Sequence, residues 1–326
     1  MRRKLEGVTL NETKKQAKQK LTKVKIEILA TVLKHRLLTA DQIQKRCLPL
    51  KDGQSPKGRQ EYTRKLLRDL FNNKLLLRRK LIQPDLGNNP YVYAPTWSAA
   101  QAVADAYGTT TELVGYDPHD KVITWTNENL FHLLRENDCH YIFEQSAALS
   151  GIELREWHSD RTLARDKASR RVKYTGPHGG SYEKTLIPDG LYVFGHSVEV
   201  DGRTGTVLTR LFLEVDMGTQ TITQRNKTLK HPQRTWEHKV RSYMAYFQPS
   251  GLCEQHYQTT NARVLVLTTS ELRLKRMMEA TERVGGTDRF WFATFEQFTP
   301  ESALTQPIYW VAGSREKEYA LIELFA

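Results

Sequence analysis

Three acidic side chains in the second half of the chain have types and spacing that suit phosphodiester chemistry. Asp189 lies near the start of one strand-like segment, and Glu214 and Asp216 lie near the end of the next. Side chains two residues apart share one face of a strand, so Glu214 and Asp216 are predicted to point the same way. A turn at residues 201–205 would fold the two segments into a hairpin. One register brings Asp189 opposite residues 214–217, whereas a shift of one residue puts it on the other face.

Carboxylates that lie this close together need a cation or a shared proton. A hard divalent ion, Mg²⁺ or Mn²⁺ in its place, bound by Asp189, Glu214 and Asp216 would supply the cation. Such an ion can activate water against a phosphodiester and neutralise the leaving oxygen. The alternative, that these are polar side chains at strand ends with no chemical role, stays open at this point.

A lysine on the following predicted helix is a fourth candidate catalytic residue. The helix is predicted from about Arg234 to Phe247, and Lys239 lies three residues from Trp236 and four from Tyr243, which puts it on the apolar stripe. A lysine that faces inward needs an anionic partner, and the acidic cluster is the obvious one. The alternative is that the aliphatic part of the Lys239 side chain lies along the apolar surface and its ammonium extends past the side of the helix into water.

The elements that would position these residues alternate between helix and strand over residues 127–326. Helices, with periodic apolar residues, are predicted at residues 127–150, 234–247 and 271–284. Strands are predicted at residues 152–157, 185–194, 210–216, 263–269 and 290–295. The polar stretch 160–180 is predicted to be a loop. This order predicts an α/β fold, a mixed sheet flanked by helices.

The positive charge of the chain is concentrated in its first quarter. The formal net charge is +12, yet residues 1–80 hold 23 lysines and arginines against 7 acidic residues, and the remainder holds 26 against 30. Such a segment repels itself unless a polyanion neutralises it, which favours a nucleic acid as partner. For residues 1–20 alone, a solvated basic tail is an equally good interpretation.

Residues 21–97 have the pattern of a winged helix-turn-helix. Helices are predicted at residues 24–36, 39–47 and 55–74, followed by a hairpin of residues 75–82 and 91–93. The second helix begins with a capping box of Thr39 and Gln42. The third is predicted to bury Tyr62, Leu66, Leu67 and Leu70.

The third helix of a winged helix-turn-helix enters the major groove of DNA, and the hairpin follows the backbone. Arg59 or Gln60 can then reach base edges while other basic side chains contact phosphates. The predicted DNA-binding residues are Lys57, Arg59, Gln60, Arg64, Arg68, Arg79 and Lys80. A small helical domain that contacts protein instead of DNA is the alternative.

These patterns predict four regions. They are a basic tail at residues 1–20, a winged helix-turn-helix domain at 21–97, a linker at 98–126 that contains an alanine-rich helix, and the α/β domain at 127–326.

Several other classes of protein are disfavoured. No apolar run is long enough to span a bilayer, and the basic start is not followed by a secretory apolar segment. The 3 cysteines are scattered, which argues against a disulfide framework or a cysteine zinc site and favours the cytoplasm. The sequence has neither of the glycine-rich motifs GxxxxGK[ST] and GxGxxG that bind nucleotides, and it has no HExxH motif of a zinc protease. His132 and His140 are interpreted as surface or core-edge histidines.

The order of these motifs resembles the replication-relaxation family, which is associated with plasmids and mobile elements. The resemblance is carried by Pro188-Asp189-Gly190, by Glu214-Val215-Asp216 with Gly218-Thr219, and by Lys239 and Tyr243. It implies a winged helix joined to a restriction-endonuclease-like core of the PD-(D/E)XK nuclease type. Asp189 matches the first acid of that pattern and Glu214 the second, but Asp216 stands where the pattern has lysine. Lys239 could supply that ammonium from the helix.

The resemblance and the residues together lead to three hypotheses. The first is a DNA-binding protein of plasmid replication or mobilisation whose α/β domain is a Mg²⁺-dependent endonuclease. The second is a DNA-binding regulator or accessory factor that keeps the nuclease-like fold without catalysis. The third is a scaffold that binds other proteins. Double-stranded DNA is the expected partner, a membrane is not, and a homodimer or a complex with a relaxase or replication protein stays open.

Overall fold

A computed structural model describes residues 21–50, 52–82, 89–165, 170–176, 179–200, 203–223 and 234–323. The predicted basic tail, residues 1–20, and the tips of both predicted hairpins lie outside the described residues. The described chain divides into two compact units between Trp125 and Thr126. No described helix is long and apolar enough to cross a bilayer.

The first unit begins with three helices, α1 (Lys23–His35), α2 (Ala40–Cys47) and α3 (Pro56–Asn72). Thr39 and Gln42 form the predicted capping box at the start of α2. At the start of α3, the Ser55 hydroxyl accepts a hydrogen bond from the Gly58 amide, and Pro56 occupies the first helical position. Local capping chemistry therefore sets where both helices begin.

Three short strands pack against these helices. β1 (Leu38–Thr39), β2 (Leu76–Lys80) and β3 (Tyr91–Pro95) form an antiparallel sheet in the order β1-β3-β2. The predicted hairpin corresponds to β2 and β3, whereas β1 was not predicted because two residues carry no readable alternation.

One residue of α3 differs from the prediction. Tyr62 is exposed, not buried, although Leu66, Leu67 and Leu70 are buried as predicted. The buried stripe of α3 that contains Leu66 therefore does not extend one turn back to Tyr62.

The predicted linker at residues 98–126 is instead packed into the first unit. It contains α4 (Trp97–Tyr107), whose buried face of Ala99, Ala100 and Val103 joins the same apolar core as α1 and α3. The Arg36 guanidinium also donates to both carboxylate oxygens of Asp120, at 2.6 and 3.2 Å. Small side chains let α4 approach α1 closely, and such packing is not readable as periodic large apolar residues.

The second unit is built on a seven-stranded mixed sheet with strand order β12-β11-β10-β9-β8-β7-β4. Its strands are β4 (Glu153–Ser159), β7 (Gly190–Val200), β8 (Arg203–Asp216), β9 (Arg263–Thr268), β10 (Phe290–Thr294), β11 (Tyr309–Val311) and β12 (Ser314–Tyr319). The central strands β8, β9 and β10 are parallel, and the flanking pairs are antiparallel. The predicted α/β class with a mixed sheet is confirmed.

Helices cover both faces of this sheet. α5 (Asn127–Ser150) packs on one face through Cys139, Phe143 and Ala147. α7 (Trp236–Tyr246) and α9 (Glu271–Arg283) pack on the other, together with the short helices α6 (Asp160–Ala164) and α8 (Leu252–Tyr257). The central strands are therefore buried on both sides, as parallel strands usually are.

The described part of the predicted loop at residues 160–180 consists mainly of a helix and a strand. It holds α6 and β5 (Arg171–Thr175), and β5 pairs with β6 (Ser181–Thr185) in a separate two-stranded sheet. Val172 and Tyr174 alternate inward while their neighbours are exposed, a strand pattern that the surrounding lysines and arginines obscured.

Candidate active site and basic surface

The register of the β7–β8 hairpin brings the first two predicted acids together. Gly190 pairs with Leu213, so Asp189, one residue before β7, lies opposite Glu214. The Asp189 amide donates to the Leu213 carbonyl at 3.0 Å, and the Val215 amide donates to Asp189 Oδ2 at 2.7 Å. The backbone of β8 thus fixes both the position and the orientation of the Asp189 carboxylate.

Glu214 is buried and has two donors from α7. Lys239 Nζ donates to Glu214 Oε2, and the Tyr243 hydroxyl donates to Glu214 Oε1. Burial raises the pKa of the Glu214 carboxyl, and the Lys239 ammonium opposes that rise. Burial alone would lower the pKa of Lys239, but the Glu214 and Asp189 carboxylates more than offset this and raise it. The pair is therefore an ammonium–carboxylate pair inside the fold.

Asp216, the third predicted acid, is held by other partners. Arg273 of α9 binds both of its oxygens, with Nη2 at 2.7 Å from Oδ1, and Thr268 of β9 donates to Oδ2 at 2.6 Å. The side chain of Asp216 is 3% exposed. Asp216 shares a face with Glu214, and the Arg273 guanidinium balances its charge.

Two residues of α5 that were not assigned to the site complete it. His132 Nε2 lies 3.3 Å from Asp189 Oδ1 and 3.0 Å from Glu136 Oε1. Burial lowers the pKa of His132, but the Asp189 and Glu136 carboxylates outweigh it and hold that pKa above its usual range. Burial raises the pKa of Glu136 to about 8. Burial would raise the pKa of Asp189, but His132 and Lys239 lower it.

The sequence did contain a signal for this pair. His132 and Glu136 are four residues apart on a predicted helix, so they share one face. The sequence nevertheless predicts only a surface or core-edge histidine at His132, because it shows no partner for it at ligand spacing. His140 is a core residue, stacked on the Trp157 ring with centroids 3.8 Å apart and paired with Glu144 at 3.0 Å.

A second lysine approaches the centre from β6. Burial, and then the charge of Lys239, lowers the pKa of Lys184 to about 8, while Glu214 acts in the opposite direction. Lys184 had not been singled out, because its hairpin was interpreted in part as a loop.

A cavity of about 230 Å³ lies at the ends of the central strands, beside these side chains. His132, Asp189, Glu214, Asp216 and Lys239 all line it. They come from α5, from the loop before β7, from β8 and from α7. Residues that are far apart in sequence are therefore gathered at one end of the sheet.

The first unit has a separate basic surface on α3 and β2. Lys57, Gln60, Arg64 and Arg68 are exposed on α3, and Lys80 is exposed on β2. These five predicted DNA-binding residues are accessible to a ligand.

The other two predicted DNA-binding residues have partners within their own unit. The Arg59 guanidinium donates to the Leu48 and Gln44 carbonyls, at 2.5 and 2.8 Å. Arg79 Nη1 donates to the Ile123 and Trp125 carbonyls, at 3.1 and 2.5 Å. These contacts tie the ends of secondary-structure elements together and leave fewer donors for DNA than the sequence suggested.

The second unit is thus an α/β protein domain with a buried acid–lysine–histidine site at one end of a mixed sheet. A comparison with protein families matches residues 29–262 to the model described as Replication-relaxation, which is more than two thirds of the chain. The chain belongs to the replication-relaxation family. Neither the curated proteins nor the solved structures that were searched gave a match.

Proposed function

We propose that this protein binds DNA during plasmid replication or mobilisation and that its second unit hydrolyses DNA phosphodiesters with a divalent metal. The single observation that carries the enzymatic part is the convergence of Asp189, Glu214 and Lys239 on one cavity. Two carboxylates and an ammonium are the groups that the PD-(D/E)XK pattern requires. The seven-stranded mixed sheet, flanked by helices, supports a restriction-endonuclease-like core.

The donor set fits a hard divalent cation at Asp189 and Glu214. Asp189 lines the cavity, and although both Glu214 oxygens accept hydrogen bonds, each carboxylate oxygen has a second lone pair. Asp216 is the poorest ligand of the three because Arg273 and Thr268 occupy its oxygens. When bound, Mg²⁺ or Mn²⁺ would lower the pKa of a water molecule and neutralise charge on the phosphate.

The protein's own residues would orient the reacting groups. Lys239 places a positive charge beside Glu214, where it can also attract a phosphate oxygen. Tyr243 fixes the Glu214 carboxylate from the opposite oxygen. The Val215 amide holds Asp189 toward the cavity. Positioning of this kind is a large part of catalysis when charge develops in a buried site.

A DNA-binding regulator without catalysis is the second candidate, and one contact favours it. Asp216 stands where the nuclease pattern has lysine, and its ion pair with Arg273 serves the fold. In that case, Lys239 would serve only to neutralise buried Glu214.

A nicking assay on supercoiled plasmid with Mg²⁺ or Mn²⁺ separates these two candidates. We expect Asp189→Asn to slow nicking by about 100-fold, because the cavity loses a negative ligand and gains no charge in return. Chelation of the metal should stop the reaction. Asp138→Asn, which changes an exposed acid on α5 outside the cavity, is the matched control.

Equal nicking by the wild-type protein, Asp189→Asn and Asp138→Asn would indicate a contaminating nuclease and reject the enzymatic proposal. Tight DNA binding without nicking by any of the three would support the regulator.

The first unit is, under this proposal, a winged helix-turn-helix that places α3 in the major groove. Three helices followed by a β2–β3 hairpin support this assignment, as do the exposed basic residues of α3. Lys57, Arg64 and Arg68 would contact phosphates, Gln60 is suited to a base edge, and Lys80 of β2 would contact the backbone.

The salt dependence of DNA binding tests this surface. The double variant Arg64→Gln/Arg68→Gln is expected to bind DNA more weakly and to reduce the slope of log K against log salt by about two units, since each phosphate contact contributes roughly 0.9. Fluorescence anisotropy at several salt concentrations measures this slope. Arg155→Gln/Lys317→Gln removes the same charge from β4 and β12 and should leave the slope near that of the wild type. A wild-type slope in the α3 variant would remove α3 from the interface.

A further inference from the structure

Two side chains that line the cavity, His132 and Asp189, form with the neighbouring Glu136 a compact set of metal-ligating atoms that differs from the three acids predicted from the sequence. His132, Glu136 and Asp189 each offer one ligand atom, and all three atoms lie within 4.8 Å of one another. Among the described residues, this is the one group of three or more histidine, cysteine or acidic side chains whose ligand atoms lie close enough together to hold a metal ion. Only Asp189 belongs to both sets.

The separations within this set suit a single small cation. His132 Nε2 lies 3.0 Å from Glu136 Oε1 and 3.3 Å from Asp189 Oδ1. Ligand atoms bound at right angles to one ion at about 2.1 Å would lie about 3 Å apart. Both separations from His132 are close to this value, and all three atoms lie within 4.8 Å of one another. An ion that binds here would displace the proton of His132 Nε2, since only the neutral imidazole is a ligand.

The supporting backbone is rigid at all three positions. His132 and Glu136 lie one turn apart within the 24-residue helix α5. Asp189 is fixed by hydrogen bonds with Leu213 and Val215 of β8. A site supported in this way loses little conformational entropy when an ion binds.

Burial and access are also appropriate for a metal centre. The Glu136 and Asp189 side chains are 11% and 16% exposed, so both carboxyl groups are poorly solvated. His132 is 34% exposed and lines the cavity with Asp189, which leaves a route for an ion and for a phosphate oxygen. Glu214, which is paired with Lys239, lies outside this set.

The ligand types indicate which ion is favoured. Mg²⁺ prefers oxygen ligands and retains much of its water, whereas first-row transition ions accept an imidazole nitrogen. Mn²⁺ accepts both carboxylate oxygen and imidazole nitrogen. We propose that His132, Glu136 and Asp189 bind one divalent transition-metal ion, with Mn²⁺ preferred over Mg²⁺. The role of this ion in DNA cleavage rests on the proposed function, but its binding does not.

Mn²⁺ titration followed by electron paramagnetic resonance tests the site without DNA. The wild-type protein is expected to bind one Mn²⁺ per chain, and Mg²⁺ should displace it only in large excess. His132→Gln and Glu136→Gln should each raise the Kd for Mn²⁺ by roughly tenfold or more. His119→Gln, on an exposed residue, and Asp138→Asn, on a partly exposed one, both lie outside the set and should leave the Kd unchanged. Circular dichroism of each variant verifies that it is folded.

An unchanged Kd in folded His132→Gln would overturn the proposal, as would equal competition by Mg²⁺, which would indicate an all-oxygen site. If the wild-type protein binds no Mn²⁺, the three residues form only a hydrogen-bonded ion pair network. The two proposals fail separately. Mn²⁺ binding without nicking would reject the nuclease proposal but support the metal site. Nicking by the wild-type protein, together with an unchanged Kd for Mn²⁺ in His132→Gln, would support the nuclease and reject the metal site.

Discussion

Lys239→Met is expected to lower the free energy of unfolding by about 3–5 kcal/mol, because it leaves a buried carboxylate without its cation. The Glu214 side chain is 4% exposed and that of Lys239 17%, so the Glu214 carboxylate would stay poorly solvated after the ammonium is lost. Tyr243 would remain as the other donor to Glu214. Urea denaturation, with the slope compared between variants, measures the change.

Two further variants isolate the pair from the rest of the site. Glu214→Gln in the Lys239→Met background should recover much of the lost stability, since the uncompensated charge is then gone. Lys275→Met, which removes an exposed lysine of α9, should change the unfolding free energy by less than about 0.5 kcal/mol. A cost for Lys239→Met as small as that of Lys275→Met would mean that the pair does not stabilise the fold.

Arg273→Met is expected to have a comparable effect on stability, about 3 kcal/mol or more, through Asp216. The Arg273 guanidinium makes a bidentate contact with the Asp216 carboxylate and also donates to the Gln220 carbonyl at 2.6 Å. Thr268 alone can satisfy one oxygen of Asp216. Thermal and urea unfolding of the variant would measure the loss.

Three further variants test whether the bidentate contact between Arg273 and Asp216 is the cause of this loss. Arg273→Lys should recover only part of the stability, because an ammonium cannot make the parallel pair of hydrogen bonds. Asp216→Leu/Arg273→Met should be more stable than Arg273→Met alone, since it removes the buried charge. Arg276→Met, on an exposed face of α9, is the matched control. If Arg273→Met is as stable as Arg276→Met, the contact between Arg273 and Asp216 does not stabilise the fold.

The elements with clear periodicity or capping signals could be predicted closely. α5 spans Asn127–Ser150, the predicted bounds, because its N-terminal threonine and C-terminal glycine mark both ends. The start of α2 could be read from its capping box. Lys239 could be placed on an inward stripe because helix geometry alone relates it to Trp236 and Tyr243.

The contacts that depend on packing could not be predicted in the same way. Nothing local shows that α5 crosses the end of β7, so His132 was not connected with Asp189. The pairing of Asp216 with Arg273 depends on the parallel placement of β9 beside β8, which brings α9 over the strand end. Arg59 looked suited to DNA by position, but its carbonyl partners are set by the way α2 and α3 pack.

The two outer strands of the seven-stranded sheet have a consequence for self-association. β12 carries Glu316, Lys317 and Glu318, and β4 carries Glu153 and Arg155. Charged side chains along an open edge oppose the addition of a strand from another molecule, since the incoming chain would have to strip water from them. If two copies of this protein associate, they are therefore expected to do so without joining their sheets at these edges. Amyloid-like strand addition is disfavoured at both edge strands for the same reason.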